Sequence, residues 1–205
     1  APAPVVTSDL AVFAFGSGDL VATFRRGGLR RWSASVSGQR TGQSLARISD
    51  VTGAPVVSGK RLYAGNNSGR TVAVDLETGE RLWTTREGAT GPAWPAGNSL
   101  FQVSDRHQLL RLDAGSGEVI WAVDLAGYLK DKPGKRGRIP VHHGPLLAGG
   151  PVIVASNDGQ LRFFNPENGS LTRMVEVPGG ATTPPVVADR TLYVVSSKGN
   201  LLAYR

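Results

Sequence analysis

Short runs dominated by apolar residues recur along the chain, each cut off by a small polar turn. They read LAVFAFG (10–16), RLYAGN (61–66), SLFQVS (99–104), PVIVAS (151–156) and TLYVVS (191–196), and the turns after them read GSGDL, NNSGR, DRHQL, NDGQL and SKGNL. Val, Tyr, Phe and Leu suit a pleated, half-buried surface, whereas Gly, Asn, Asp and Ser reverse the chain. Each run therefore predicts a strand entering a hairpin. No stretch carries a 3.6-residue apolar stripe long enough for a helix. The pattern predicts an all-β protein.

The runs belong to a larger repeat. A small residue, a proline and apolar residues open each unit, with Pro4, Pro55, Pro92, Pro145 and Pro185 as anchors spaced 51, 37, 53 and 40 residues apart. The mean of about 45 residues is that of a four-stranded propeller blade. The blades are expected at about 3–45, 53–90, 91–142, 143–182 and 183–205, as one partial β-propeller over 1–205. The last unit stops after what would be its third strand, and the first residue sits at the start of a blade. Both points lead us to expect a C-terminal portion of a larger ring, with N-terminal blades outside this chain.

The end of the third strand carries the most specific signal. Ala73-Val-Asp75-Leu-Glu-Thr78-Gly79-Glu-Arg-Leu-Trp83 recurs as Arg111-Leu-Asp113-Ala-Gly-Ser116-Gly117-Glu-Val-Ile-Trp121. Asp75 and Asp113 are placed to accept backbone N–H groups of the turn, and Gly79 and Gly117 to supply a left-handed backbone. Trp83 and Trp121 are then large apolar plates able to wedge between blades, each with an N–H for a backbone carbonyl. The first unit keeps Gly28 and Trp32 but has Phe24 where Asp belongs, and the fourth keeps Asn165 and Gly169 but has Arg173 in place of Trp.

Composition narrows the chemistry. Among 205 residues there is no Cys and there are three His, which excludes disulfides, thiolate metal sites and a cysteine nucleophile. His142 and His143 are adjacent on an expected strand and point to opposite faces, so they do not form a chelate; His107 reads as a polar turn residue. No apolar run approaches the roughly 18 residues of a membrane-spanning helix. The opening APAPVVTSDL has neither a charged n-region nor an apolar h-region and no initiator Met, as expected of a processed or trimmed chain.

Lys and Arg number 23 against 16 Asp and Glu, for a net charge of +7. This favours acidic partners or anionic surfaces. The segment 128–139 holds Lys130, Lys132, Lys135, Arg136 and Arg138 against Asp131 alone. It reads either as a solvated loop or as a contact for anionic lipid headgroups. Tyr128 is its one aromatic residue, so base stacking, and with it nucleic acid, is not expected. Arg25, Arg26, Arg30 and Arg31 flank a Gly-Gly turn and read as an exposed hairpin face.

The A-x-D-x-x-[ST]-G-x-x-x-W repeat resembles the tryptophan-docking motif of the pyrroloquinoline-quinone (PQQ) propellers. Within that superfamily the chain is most similar to the BamB lipoproteins of the outer-membrane β-barrel assembly complex. The resemblance is densest at Arg47-Ile-Ser-Asp50-Val51 with Ala54-Pro55-Val-Val, at NDGQLRFFNPENGSL (157–171) and at the closing KGNLLAYR. It implies an eight-bladed ring, so this chain is expected to be its C-terminal half or slightly more. It also implies a non-catalytic, periplasmic, outer-membrane-associated scaffold without cofactor or metal. That scaffold docks on the POTRA repeats of BamA and helps deliver unfolded outer-membrane proteins.

Asp50 matches a family acid of the BamA contact, with Arg47 beside it as a second candidate. A further family acid two residues on is Thr52 here. Asp50 reads equally as a turn cap before Val51. Two alternatives stay open: a PQQ-dependent dehydrogenase, and a protein-binding propeller of another compartment. The first needs a quinone on the ring axis, a calcium-type cation held by carboxylates and a catalytic Asp. Against it, the carboxylates of this chain sit mainly in turns, and the adjacent cysteine pair of one dehydrogenase branch is missing.

Overall fold

A computed structural model describes residues 2–37, 50–129 and 139–205. Arg47 and the five cations of the second insertion lie outside these residues. The described residues form strands and turns only, in four four-stranded sheets and one three-stranded sheet, all antiparallel. The first blade comprises β1 (Val5–Val6), β2 (Leu10–Ala14), β3 (Asp19–Phe24) and β4 (Arg30–Ser35); the second, β5 (Val56–Ser58), β6 (Arg61–Asn66), β7 (Arg70–Asp75) and β8 (Arg81–Thr85). The third comprises β9 (Trp94–Ala96), β10 (Ser99–Val103), β11 (Gln108–Asp113) and β12 (Val119–Asp124); the fourth, β13 (His142–Leu147), β14 (Val152–Ser156), β15 (Gln160–Phe164) and β16 (Leu171–Glu176). The fifth holds β17 (Val186–Ala188), β18 (Thr191–Val195) and β19 (Leu201–Tyr204).

Within each sheet the strands pair in chain order as a meander. The core lies between successive sheets. Val12, Leu20, Ala22 and Trp32 of the first blade pack on Leu62, Ala64, Val72 and Val74 of the second. Tyr63, Ala73 and Trp83 of the second pack on Leu100, Leu110 and Leu112 of the third. Phe101, Val103 and Leu109 then meet Val152, Val154 and Phe164, and Ile153, Ala155 and Leu161 meet Leu192 and Val194. Successive side chains of a strand point to opposite faces. An inner strand such as β10 therefore serves two interfaces at once: Leu100 faces back, Phe101 and Val103 face forward, and all five residues are buried. This is why these runs are apolar without alternation. In β2, by contrast, Leu10, Val12 and Ala14 are buried while Phe13 is exposed.

The tryptophan motif acts across these interfaces. In each four-stranded blade the register between third and fourth strands slips once, after Ala22, Ala73, Arg111 and Phe163. These are the residues opposite Trp32, Trp83, Trp121 and Arg173. Such a bulge re-aims the side chain beside it. Trp32 Nε1 donates to Leu76 O (2.8 Å), Trp83 Nε1 to Ala114 O (3.0 Å) and Trp121 Nε1 to Pro166 O (3.1 Å), each on the following blade. There the indole lies over Gly79, Gly117 or Gly169, where an added Cβ would come within 2.6, 2.5 or 2.9 Å of the ring. At Gly117 a side chain is excluded twice, because φ is also +77°.

The turn beneath the ring is built by its aspartate. Asp75 Oδ1 accepts the N–H groups of Glu77 and Thr78 at 2.9 Å, and Asp113 Oδ1 accepts those of Gly115 and Ser116 at 2.8 Å. Donors aimed at the ionised form hold both carboxyl groups below the usual carboxylate range. In the fourth blade Arg173 stands where Trp would be, and its guanidinium lies 5.5 Å over the Phe163 ring instead.

Candidate functional site

The ends of the strands divide the molecule into two faces. One carries the turns between first and second and between third and fourth strands. The other carries the turns between second and third strands and the connectors that lead from blade to blade. Asp50 lies on the connector face.

Its position follows from how a blade is entered. Val51 is buried and bridges Asn66, and Thr52 N–H donates to Gly65 O at 3.2 Å, so both extend the edge of the second blade. The same step recurs where Ala89-Thr90 and Ala181-Thr182 enter the third and fifth blades, with Thr90 N–H on Val103 O and Thr182 N–H on Val195 O. Asp50 is thus the counterpart of Gly88 and Gly180. At those positions a Cβ would come within 2.6 Å of Asn66 O and 2.3 Å of Asn157 O respectively. The Asp50 carboxylate lies against Gly16, its Oδ1 3.0 Å from where a Cβ of Gly16 would stand. The acid is exposed, at a recess of about 350 Å³ shared with Pro2, Gly16, Val51 and Thr52. Its carboxylate makes no turn cap among the described residues; Thr52 Oγ1 donates to Ala89 O instead.

Beside Asp50, a recess of about 480 Å³ is lined by residues of the blade-entry segments, among them Thr52, Thr90, Pro92 and Pro184 with His107, His142 and His143. None of its lining side chains is a carboxylate. Among the described residues no group of three or more His, Cys, Asp or Glu is placed to hold a metal ion. His107 is more than the polar turn residue that sequence reading makes of it. A left-handed backbone (φ 58°) turns its ring toward the recess, edge-on to His142 at 5.9 Å.

His142 is a buried, hydrogen-bonded position, a role that the sequence pattern did not show. Its Nε2 lies 3.0 Å from Ala126 O and its Nδ1 2.6 Å from Ser156 Oγ. A carbonyl only accepts, so Nε2 carries the proton and Nδ1 accepts from the Ser156 hydroxyl. Arg162 also donates to Ser156 Oγ (3.2 Å) and pairs with Asp158 at 2.5 Å, both side chains being nearly buried. Burial pushes the His142 pKa down to about 4, against the pull of the Ala126 carbonyl. The network clamps the start of the second insertion to the fourth blade. Val141 N–H donates to Asn157 Oδ1 at 2.8 Å and fixes its end.

The family model described as "Outer membrane protein assembly factor BamB" matches residues 1–123 and 111–205. A relative of that name from Alkalilimnicola ehrlichii is 30% identical over 98% of this chain and 50% of its own length. The Escherichia coli relative is 27% identical over 97% of the chain and 48% of its own length. The chain thus spans about half the length of the curated relatives it matches. Among solved structures, BamB from Moraxella catarrhalis superposes with a TM-score of 0.81 at 19% identity, covering 98% of this chain and 57% of that one. Quinohemoprotein alcohol dehydrogenase from Comamonas testosteroni gives 0.74 at 14% identity, covering 98% and 40%. Both structural likenesses are of fold.

Proposed function

The chain belongs to the family of outer membrane protein assembly factor BamB, and from that premise we propose that it is a non-catalytic scaffold at the periplasmic face of the outer membrane. In this reading it docks on the POTRA repeats of BamA through the connector face and presents unfolded outer-membrane proteins for insertion. The family match along the whole chain carries the proposal. An exposed carboxylate at Asp50, at a site where two sister blades have glycine, supports the placement of the contact. A rigid ring needs no induced change to offer such a loop face.

The outer edges of the blades support the second half of the reading. Leu82, Val119, Ile120, Leu171 and Met174 on β8, β12 and β16 are all exposed apolar residues on or beside unpaired strand edges. An extended client adds to such an edge by main-chain hydrogen bonds, with apolar side chains seated alongside.

The test is a calorimetric titration of the full chain with the isolated POTRA repeats, beside an Asp50→Arg variant whose melting is checked against wild type. Saturable binding that the variant loses is the expected result. Binding that survives the charge reversal discards Asp50 as the contact. Absence of binding by the wild-type chain discards docking through these blades.

A further inference from the structure

The four turns that join third to fourth strands are equivalent by register, yet one inverts the charge of the others. Asp75, Glu77 and Glu80 mark the second blade's turn, Asp113 and Glu118 the third's, and Glu167 the fourth's. The first blade has Arg25, Arg26, Arg30 and Arg31, with Phe24 in place of the capping aspartate. Of these arginines only Arg30 has a counterpart in a sister turn, Arg81 of the second blade, so the fold does not require the cluster. Gly27 and Gly28, at φ +86° and +68°, turn the backbone without the cap.

Every residue from Phe24 to Arg31 is exposed. Leu29 at the tip is 74% exposed, the most of any large apolar residue described, and Phe24 is 41% exposed. Arg25 reaches the Thr7 carbonyl (3.3 Å), and Arg31 reaches the Glu77 carbonyl (3.2 Å) and lies 5.7 Å over the Phe24 ring. Arg26 and Arg30 have no protein partner among the described residues. Backbone bonds from Phe24 N to Leu29 O (2.8 Å) and from Gly28 N to Phe24 O (3.1 Å) hold the tip in shape.

From this hairpin we infer that the first blade docks on the surface of an anionic phospholipid bilayer. A soluble acidic partner would use the guanidinium groups and leave Leu29 unrewarded. A bilayer interface takes both: apolar tips enter the boundary between headgroups and acyl chains while cations sit on phosphate. The hairpin lies at the opposite end of β3 from Gly16 and Asp50, about 20 Å away at strand rise. Membrane contact and partner contact therefore use different faces and do not compete. The inference stands apart from the proposed docking through Asp50.

The experiment is cosedimentation of the full chain with vesicles of phosphatidylcholine, with and without phosphatidylglycerol. The expected result is binding only to the phosphatidylglycerol vesicles. Replacing Arg25, Arg26, Arg30 and Arg31 by Ser should lower the partition coefficient by roughly 10²-fold or more, from the usual attraction per cation. Leu29→Ser should weaken it severalfold while the salt dependence persists. All replaced side chains are exposed, and unchanged melting confirms that the variants fold. Failure of the wild-type chain to bind overturns the inference, as does binding that survives loss of the four arginines. Binding indifferent to Leu29→Ser and matched by soluble polyglutamate assigns the hairpin to an acidic macromolecule and also overturns it.

Discussion

The wedge geometry makes a quantitative prediction about Trp83 and Gly117. Trp83 is 8% exposed, packs at 5.9 Å from the Tyr63 ring and donates to Ala114 O. An aromatic side chain of about 200 Å² at about 25 cal/mol per Å² gives an upper figure near 5 kcal/mol, trimmed to about 3–4 by the compactness of unfolded chains. The hydrogen bond adds little, because Ala114 O also accepts from Tyr63 Oη at 3.3 Å and keeps a partner. Trp83→Ala is therefore expected to cost about 4 kcal/mol. Gly117→Ala carries two costs: about 1 kcal/mol for a left-handed Ala, and displacement of the indole that its Cβ would strike.

With Trp83 already truncated, only the backbone cost of Gly117→Ala is left. The double variant should thus be more stable than the sum of the singles by about 1–3 kcal/mol. Gly97→Ala measures the backbone cost alone, since Gly97 has φ +56° and a Cβ there would meet nothing within 4 Å. The assay is urea unfolding followed by far-ultraviolet circular dichroism, with the m-value held as a check on two-state behaviour. Additivity within about 0.5 kcal/mol, or a Trp83→Ala cost under about 1 kcal/mol, would refute the wedge.

Two pH dependences follow from the same structure. His142 is neutral when folded, with a pKa near 4 against an ordinary 6.5. Its contribution to stability is complete above pH 6.5 and declines as pH falls toward 4, by about 3 kcal/mol in all. His142→Gln should flatten that part of the profile; an identical slope in the variant would exclude His142 as its source. Asp75 has a folded pKa lowered chiefly by the Thr78 N–H, so its contribution is present above the unfolded carboxylate range and lost as pH falls through the lowered value. Asp75→Ala should therefore unfold at lower urea than wild type at neutral pH, with the gap closing in acid. A gap that persists at low pH would mean that the carboxylate charge does not brace the turn.

The strands and their order were legible because each is short, apolar and bounded by turn residues, and the repeat multiplied a weak signal. The Asp-Gly-Trp spacing was legible for the same reason: Asp75 and Asp113 act on the backbone two and three residues on, which is a local event. The family match agrees with the resemblance read from those motifs. What depended on separate segments meeting was not legible. His107 and His142 come from different blades, and nothing in the 34 residues of intervening sequence places their rings together.

The sequence by itself determined the all-β blades, their number in this chain and the residues that turn them. Those follow from strand propensity, turn chemistry and short-range hydrogen bonds, all of which act within one blade. The tertiary structure decided which face of each strand meets which neighbour and that the Asp50 carboxylate lies against Gly16. It also decided why His142 is neutral and why four arginines share one exposed tip with Leu29. Each of these depends on the desolvation or close approach of groups from different segments, a property of the assembled blades that local pattern does not carry.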